Sequence, residues 1–194
     1  MPNHVTNILN VSGGPKRMAE LFEAVKTEKY GLGSIDFAKI IPVPDYIYQG
    51  DLGPAEMAKY GKNNWLDWNT SNWGSKWNSY GYDEFTSKKF DGENLRFQTA
   101  WSSVHQVIGR LAEMYPDLEF SYCWADEDFG NNVGRREYSA GEETECYLPN
   151  GGSKEALEMA AEVHQVDLED EGYLWNEEAG EYEFHHDSIG MELT

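Results

Sequence analysis

The 194-residue chain has little cysteine, little positive charge and no long apolar run. Its two cysteines, Cys123 and Cys146, cannot build a disulfide framework, and their spacing fits no CxxC metal or redox pattern, so a reducing compartment is expected. No stretch approaches membrane-spanning length. The opening residues do not read as a secretory signal, because Pro2 and Asn3 are not a basic segment and Thr6, Asn7 and Asn10 interrupt the run from Val5 to Val11. These absences lead us to expect a cytoplasmic protein with no membrane partner. The shortage of bases, 15 against 35 acids for a formal net charge of −20, argues against DNA and RNA as partners. Proteins grip those polyanions by neutralising phosphates with Lys and Arg.

Catalytic signatures are also missing. There is no GxxxxGK phosphate loop, and neither Gly13-Gly14 nor Gly31-Leu32-Gly33 fits a dinucleotide fingerprint. No GxSxG elbow is present, and neither cysteine lies in a nucleophile signature. Asp126, Asp128, Gly130, Asn132, Gly134 and Glu137 fall at positions 1, 3, 5, 7, 9 and 12 of a calcium-loop spacing. The middle fails, because Gly130 replaces a side-chain ligand and Asn131 stands where the sharp turn needs glycine, so an ordinary acidic turn is expected. The neighbours His185 and His186 would point to opposite faces of a strand and chelate poorly. The sequence thus suggests no catalytic residue, no metal site and no cofactor.

What is present is acid, aromatic surface and a repeated pattern. From Glu137 onward there are 17 acids and one base, Lys154, giving −16 against −4 for residues 1–136. Such a surface favours basic proteins or cations as partners. Val5, Leu9 and Val11 predict a strand, and Met18, Leu21, Phe22 and Val25 predict a helix that Gly31 and Gly33 stop. Ile35 to Ile41 predicts a second strand closed by Pro42 and Pro44. The same order then returns: a strand over Leu95 to Trp101, a helix on the stripe Val104, Val107, Ile108 and Leu111, and a strand over Leu118 to Trp124. Two strand-helix-strand units predict an α+β, ferredoxin-like split βαβ sandwich: an antiparallel sheet with helices on one face. Residues 1–140 would form this domain, with an aromatic insertion at 42–94. Residues 141–194 would add an acidic extension, with a strand at Val133 to Tyr138 preceding it, a helix over Ser153 to Val166 and a hairpin over Tyr173 to Phe184.

Several blocks also carry a family resemblance. MPNHVTNILNVSG, IIPVP, DWNTSNWGSKWNSY, FQTAWSS and YPDLEFSY occur in this order and resemble the YubB-type ferredoxin-like domain family of phage, plasmid and bacterial proteins, over roughly residues 1 to 140. The resemblance implies the ferredoxin-like fold and a mobile-element context but no activity, and it leaves the acidic region beyond residue 140 outside it.

Within the insertion, Trp65 to Tyr82 holds four of the seven tryptophans. With Asn64 as cap, a short helix ending at Gly74 would bring these rings onto the sheet as a hydrophobic pin, their indole N–H groups satisfied by Asn69, Asn72 or Asn78. Alternatively Trp68, Asn72, Trp73, Lys76 and Trp77 form a binding platform, with Gly74 letting a ligand approach the backbone. The functions expected are therefore a non-enzymatic acidic module for a protein partner, in its sharpest form a nucleic-acid mimic, or a glycan- or small-molecule-binding protein using the Trp/Asn/Lys block.

Overall fold

The structure is a computed structural model and describes residues 2–82 and 90–185. Strand β1, His4–Ser12, alternates as expected, with Val5, Asn7, Leu9 and Val11 buried on one face. Helix α1, Pro15–Val25, has Pro15 in its first turn, where the missing N–H costs nothing, and buries Met18, Leu21, Phe22 and Val25 against that face.

The predicted strand at Ile35 to Ile41 does not form. A 3-10 turn, Phe37–Lys39, takes its place, capped by the Asp36 carboxylate, which accepts from the Ala38 N–H at 3.0 Å. Asn78 of the insertion accepts from the Phe37 N–H at 2.9 Å and donates to Asp36 at 2.7 Å. Side chains thus satisfy donors that a ladder would otherwise need. Ile35, Phe37 and Ile40 are still core residues, reached through a turn.

The insertion contributes helices α2, Pro54–Tyr60, and α3, Trp65–Asn72, the latter capped by Asn64 as expected. Strand β2, Asn94–Ala100, helix α4, His105–Met114, and strand β3, Glu119–Asp126, complete the second predicted unit. Strands β4, Gly134–Ser139, and β5, Glu142–Tyr147, follow. The sheet runs β2-β1-β3-β4-β5 with every pairing antiparallel. Thus β2 and β3 flank β1 and α4 crosses between them, a split βαβ arrangement, and the α+β ferredoxin-like fold expected from the sequence is the one observed.

The inward residues of β1, β2 and β3 join those of α1 and α4 in the main core. Helix α5, Lys154–His164, is capped by Ser153 and packs on the opposite face, where Ala156, Ala160 and Val163 meet Ala125, Val133, Ile8 and Cys123. The hairpin of β6, Tyr173–Asn176, and β7, Glu181–Phe184, touches α5 from outside: Tyr182 donates to Glu158 at 3.3 Å and Lys154 lies over the Trp175 ring. His186 and Asp187 of the weighed histidine cluster lie outside the described residues.

The two sheet edges differ. Beyond β2, Tyr80 of the insertion forms a two-bond antiparallel bridge with Gln98. Strand β5 pairs on one side, and all six of its residues are exposed.

Candidate functional site

The insertion divides the tryptophan block between core and surface. Trp73 is 4% exposed, packs edge-on against Phe37, and donates its indole N–H to the Ile41 carbonyl at 3.0 Å. Trp68 is half-buried, at right angles to Trp73 with ring centres 5.4 Å apart. Asn72 turns back on its own helix and donates to the Trp68 carbonyl at 2.8 Å. Trp65 donates to Gly50, so the indole partners are backbone carbonyls and not the expected asparagines. Gly74 also has a packing role. At φ +82 a Cβ there would lie 2.9 Å from the Ser103 carbonyl, so the backbone is close to this chain itself.

Past Gly74 the chain turns outward. Ser75 accepts from the Ala100 N–H at 3.1 Å, and five residues later Tyr80 bridges Gln98, so the segment between them is stitched along the end of β2. That stitch sets Lys76 and Trp77 beside Trp101, the first residue after β2. Trp77 is 38% exposed and Trp101 43%. The Lys76 ammonium lies 4.7 Å from the Trp77 ring centre and 5.2 Å from that of Trp101. Of the five residues the sequence nominated, Lys76 and Trp77 face outward together, while Trp68, Asn72 and Trp73 hold the insertion down.

Trp101 was not nominated, because in sequence it reads as the inward end of a strand. Its φ of +77 reverses that expectation. A bulky side chain in the left-handed region is strained by about 1–3 kcal/mol and persists only where its surroundings hold it. Here its N–H donates to the Asn3 carbonyl at 3.0 Å, and its carbonyl accepts from Asn132 at 3.3 Å. Thr99 donates across the turn to the Ser102 carbonyl at 2.7 Å. A sequence signal did exist in the Trp-Ser-Ser run, where a helix is about to begin and inward alternation must end.

Tyr80 completes the cluster, edge-on to Trp77 with ring centres 6.0 Å apart. Its hydroxyl donates to the Thr99 carbonyl at 3.0 Å and accepts from His4 Nδ1 at 2.7 Å. Burial, with a smaller contribution from the Glu127 carboxylate, pushes the Tyr80 phenol up to about 12. Asp126 is buried and accepts from Asn3 at 3.2 Å and Asn132 at 2.8 Å, with the Asp128 N–H at 3.0 Å. Amides therefore occupy the head of the calcium-like spacing, and no cluster of metal-ligating groups occurs among the described residues. An apolar cavity of about 530 Å³, lined by Met18, Phe22, Leu32 and Phe90 among others, lies elsewhere in the molecule.

Residues 72–167 match the family described as a ferredoxin-like domain in Api92-like protein. The chain therefore carries a ferredoxin-like domain, and the match brings no activity with it. The matched segment runs from the end of α3 to just beyond α5, so it contains Lys76, Trp77 and Trp101 but not β1. It also contains the acidic helix α5, which the sequence resemblance had left outside. Neither a curated protein nor a solved structure matches the chain.

Proposed function

We propose that the protein is a non-enzymatic, acidic interaction module that captures a basic protein, with the Lys76, Trp77 and Trp101 surface as contact and the acidic C-terminal region as the attracting field. The observation that carries this reading is the outward Trp101, held at a strained φ beside a second exposed indole in a chain that buries Trp73 and Trp124. Exposed tryptophan is a residue type in which binding energy concentrates at protein interfaces. Ten acids and one base lie between residues 142 and 171. Glu143 and Glu145 pair with Arg136 and Arg135, whereas Glu142, Glu155, Glu162, Asp167, Glu169, Asp170 and Glu171 form no ion pair among the described residues. Their field speeds encounter with a cationic partner and keeps polyanions away. In its sharpest form the module imitates nucleic acid toward a basic host factor, and the YubB-type resemblance supplies the mobile-element setting.

The test is affinity capture from host lysate with and without nuclease treatment. A stoichiometric protein is expected, weakened by salt, by Gln and Asn replacement of the unpaired acids, and by Trp77→Ala with Trp101→Gly. Capture indifferent to salt and to both variant sets would end this reading, and nuclease-sensitive capture would mean that a nucleic acid was the ligand.

A further inference from the structure

We infer that the faces of Trp77 and Trp101 form a site for a guanidinium group, an arginine side chain of the basic partner, and that Lys76 is its resident occupant. The arginine's source rests on the interaction reading above; the site itself does not. Several cations in this protein lie over aromatic rings: Lys29 over Tyr30, Lys59 over Tyr60, Lys154 over Trp175 and Arg17 over Tyr115. Each of these uses one ring. Among the described residues only the Lys76 ammonium is shared by two, one of them 25 positions away in sequence and brought close by a strained turn. Lys76 also forms no ion pair there, so the ring faces are what hold its charge.

An ammonium is compact and strongly hydrated, and a half-exposed indole pair compensates its lost water poorly. A guanidinium is planar and weakly hydrated, and it stacks on aromatic faces, so the two indoles suit it better than they suit the lysine they hold. Glu127 adds negative potential at the margin, where its charge is felt by Tyr80, the ring packed on Trp77. Displacement requires only that the Lys76 stem swing into water, since its backbone stays tied by the bond from Asn69 Nδ2 to the Lys76 carbonyl at 3.0 Å. Lys76 thus acts as an internal competitor that excludes weak cations and yields to a stacked arginine.

The experiment titrates the full chain with N-acetyl-arginine methylamide and follows the indole N–H signals by NMR, assigned through single-tryptophan variants. Saturable shifts are expected at Trp77 and Trp101, with Trp73 and Trp124 unmoved. Lys76→Ala should saturate at about one tenth of the parent's ligand concentration, and the lysine analogue should bind several-fold more weakly than the arginine probe. Lys16→Ala, which removes an equal charge from α1, should leave the titration as in the parent. Trp101→Gly keeps the backbone at positive φ without strain and should abolish the response. The inference is overturned if Lys76→Ala binds no more tightly than the parent, if Trp101→Gly still responds, or if lysine and arginine probes behave alike. A protein captured from lysate without any arginine response would overturn this site while sparing the interaction reading; the converse result would spare the site alone.

Discussion

Tyr122→Phe should loosen the turn that presents Trp101 although the two residues are not hydrogen-bonded to each other. The Tyr122 ring is fully buried, and its hydroxyl donates to Asn7 Oδ1 at 2.6 Å and accepts from the Val104 N–H at 2.9 Å. Asn7 in turn donates to Thr99 Oγ1 at 2.9 Å, and the Thr99 hydroxyl donates to the Ser102 carbonyl. The phenylalanine fills the same ring volume, so the loss is confined to two orphaned groups, the Asn7 side-chain Oδ1 and the Val104 N–H. Each unsatisfied buried group costs about 1–3 kcal/mol, or about 2–5 kcal/mol together once the network relaxes. For a chain of this length about 1 kcal/mol moves Tm by about 2–4 °C, so a fall of about 10 °C is expected in a calorimetric melt. The Trp101 indole N–H signal should broaden or shift at temperatures well below that melt. A fall of less than about 2 °C, with Trp101 unchanged, would refute the claim that this network both stabilises the fold and holds the strained turn.

Trp73→Ala should cost about 3–5 kcal/mol in urea unfolding, whereas Trp77→Ala should stay within about 0.5 kcal/mol of the parent, because one ring is core and the other surface. Cys123 lies half-buried under α5, and burial, followed by Glu162 and Glu137, pushes its thiol up to about 11. A disulfide reagent at neutral pH should therefore label the exposed Cys146 quickly and Cys123 only after denaturant is added. Burial raises the Tyr122, Tyr82 and Tyr138 phenols far above their usual value, with Tyr80 less raised. In the unfolded chain these phenols ionise near pH 10 while the folded chain keeps them protonated, so their stabilisation is complete below pH 10 and declines as pH rises above it. An alkaline absorbance titration should show them ionising together with unfolding; ionisation of all twelve tyrosines near pH 10 in a folded chain would contradict their burial.

Alternation made β1, β2 and β3 legible, and the stripes on α1, α4 and α5 were legible from helical spacing. These patterns report a local backbone period that packing then rewards. Ile35 to Ile41 misled because apolar content marks burial and not backbone form: Asn78, some 40 positions away, satisfies Phe37 and Asp36 and allows a turn. Strand β5 was missed because its six residues are all exposed and leave no alternation to detect. The site was half legible. Lys76 and Trp77 were found through residue type, but Trp101 depends on a φ reversal fixed by Asn3 and Asn132, contacts that no local window contains.

The central place of β1 has a temporal consequence. Its neighbours β2 and β3 pair Leu9 with Leu95 and with Tyr122, so neither partner exists when β1 leaves the ribosome. At about 5–20 residues per second, the interval between finishing β1 and finishing β2 is about 4–18 s. During that interval β1 has no strand to pair with, and Val5, Leu9 and Val11 have only α1 and the segments that follow it to cover them. Newly made chains should therefore hold an unpaired apolar strand for several seconds, the period in which a chaperone that binds extended apolar segments would find this protein.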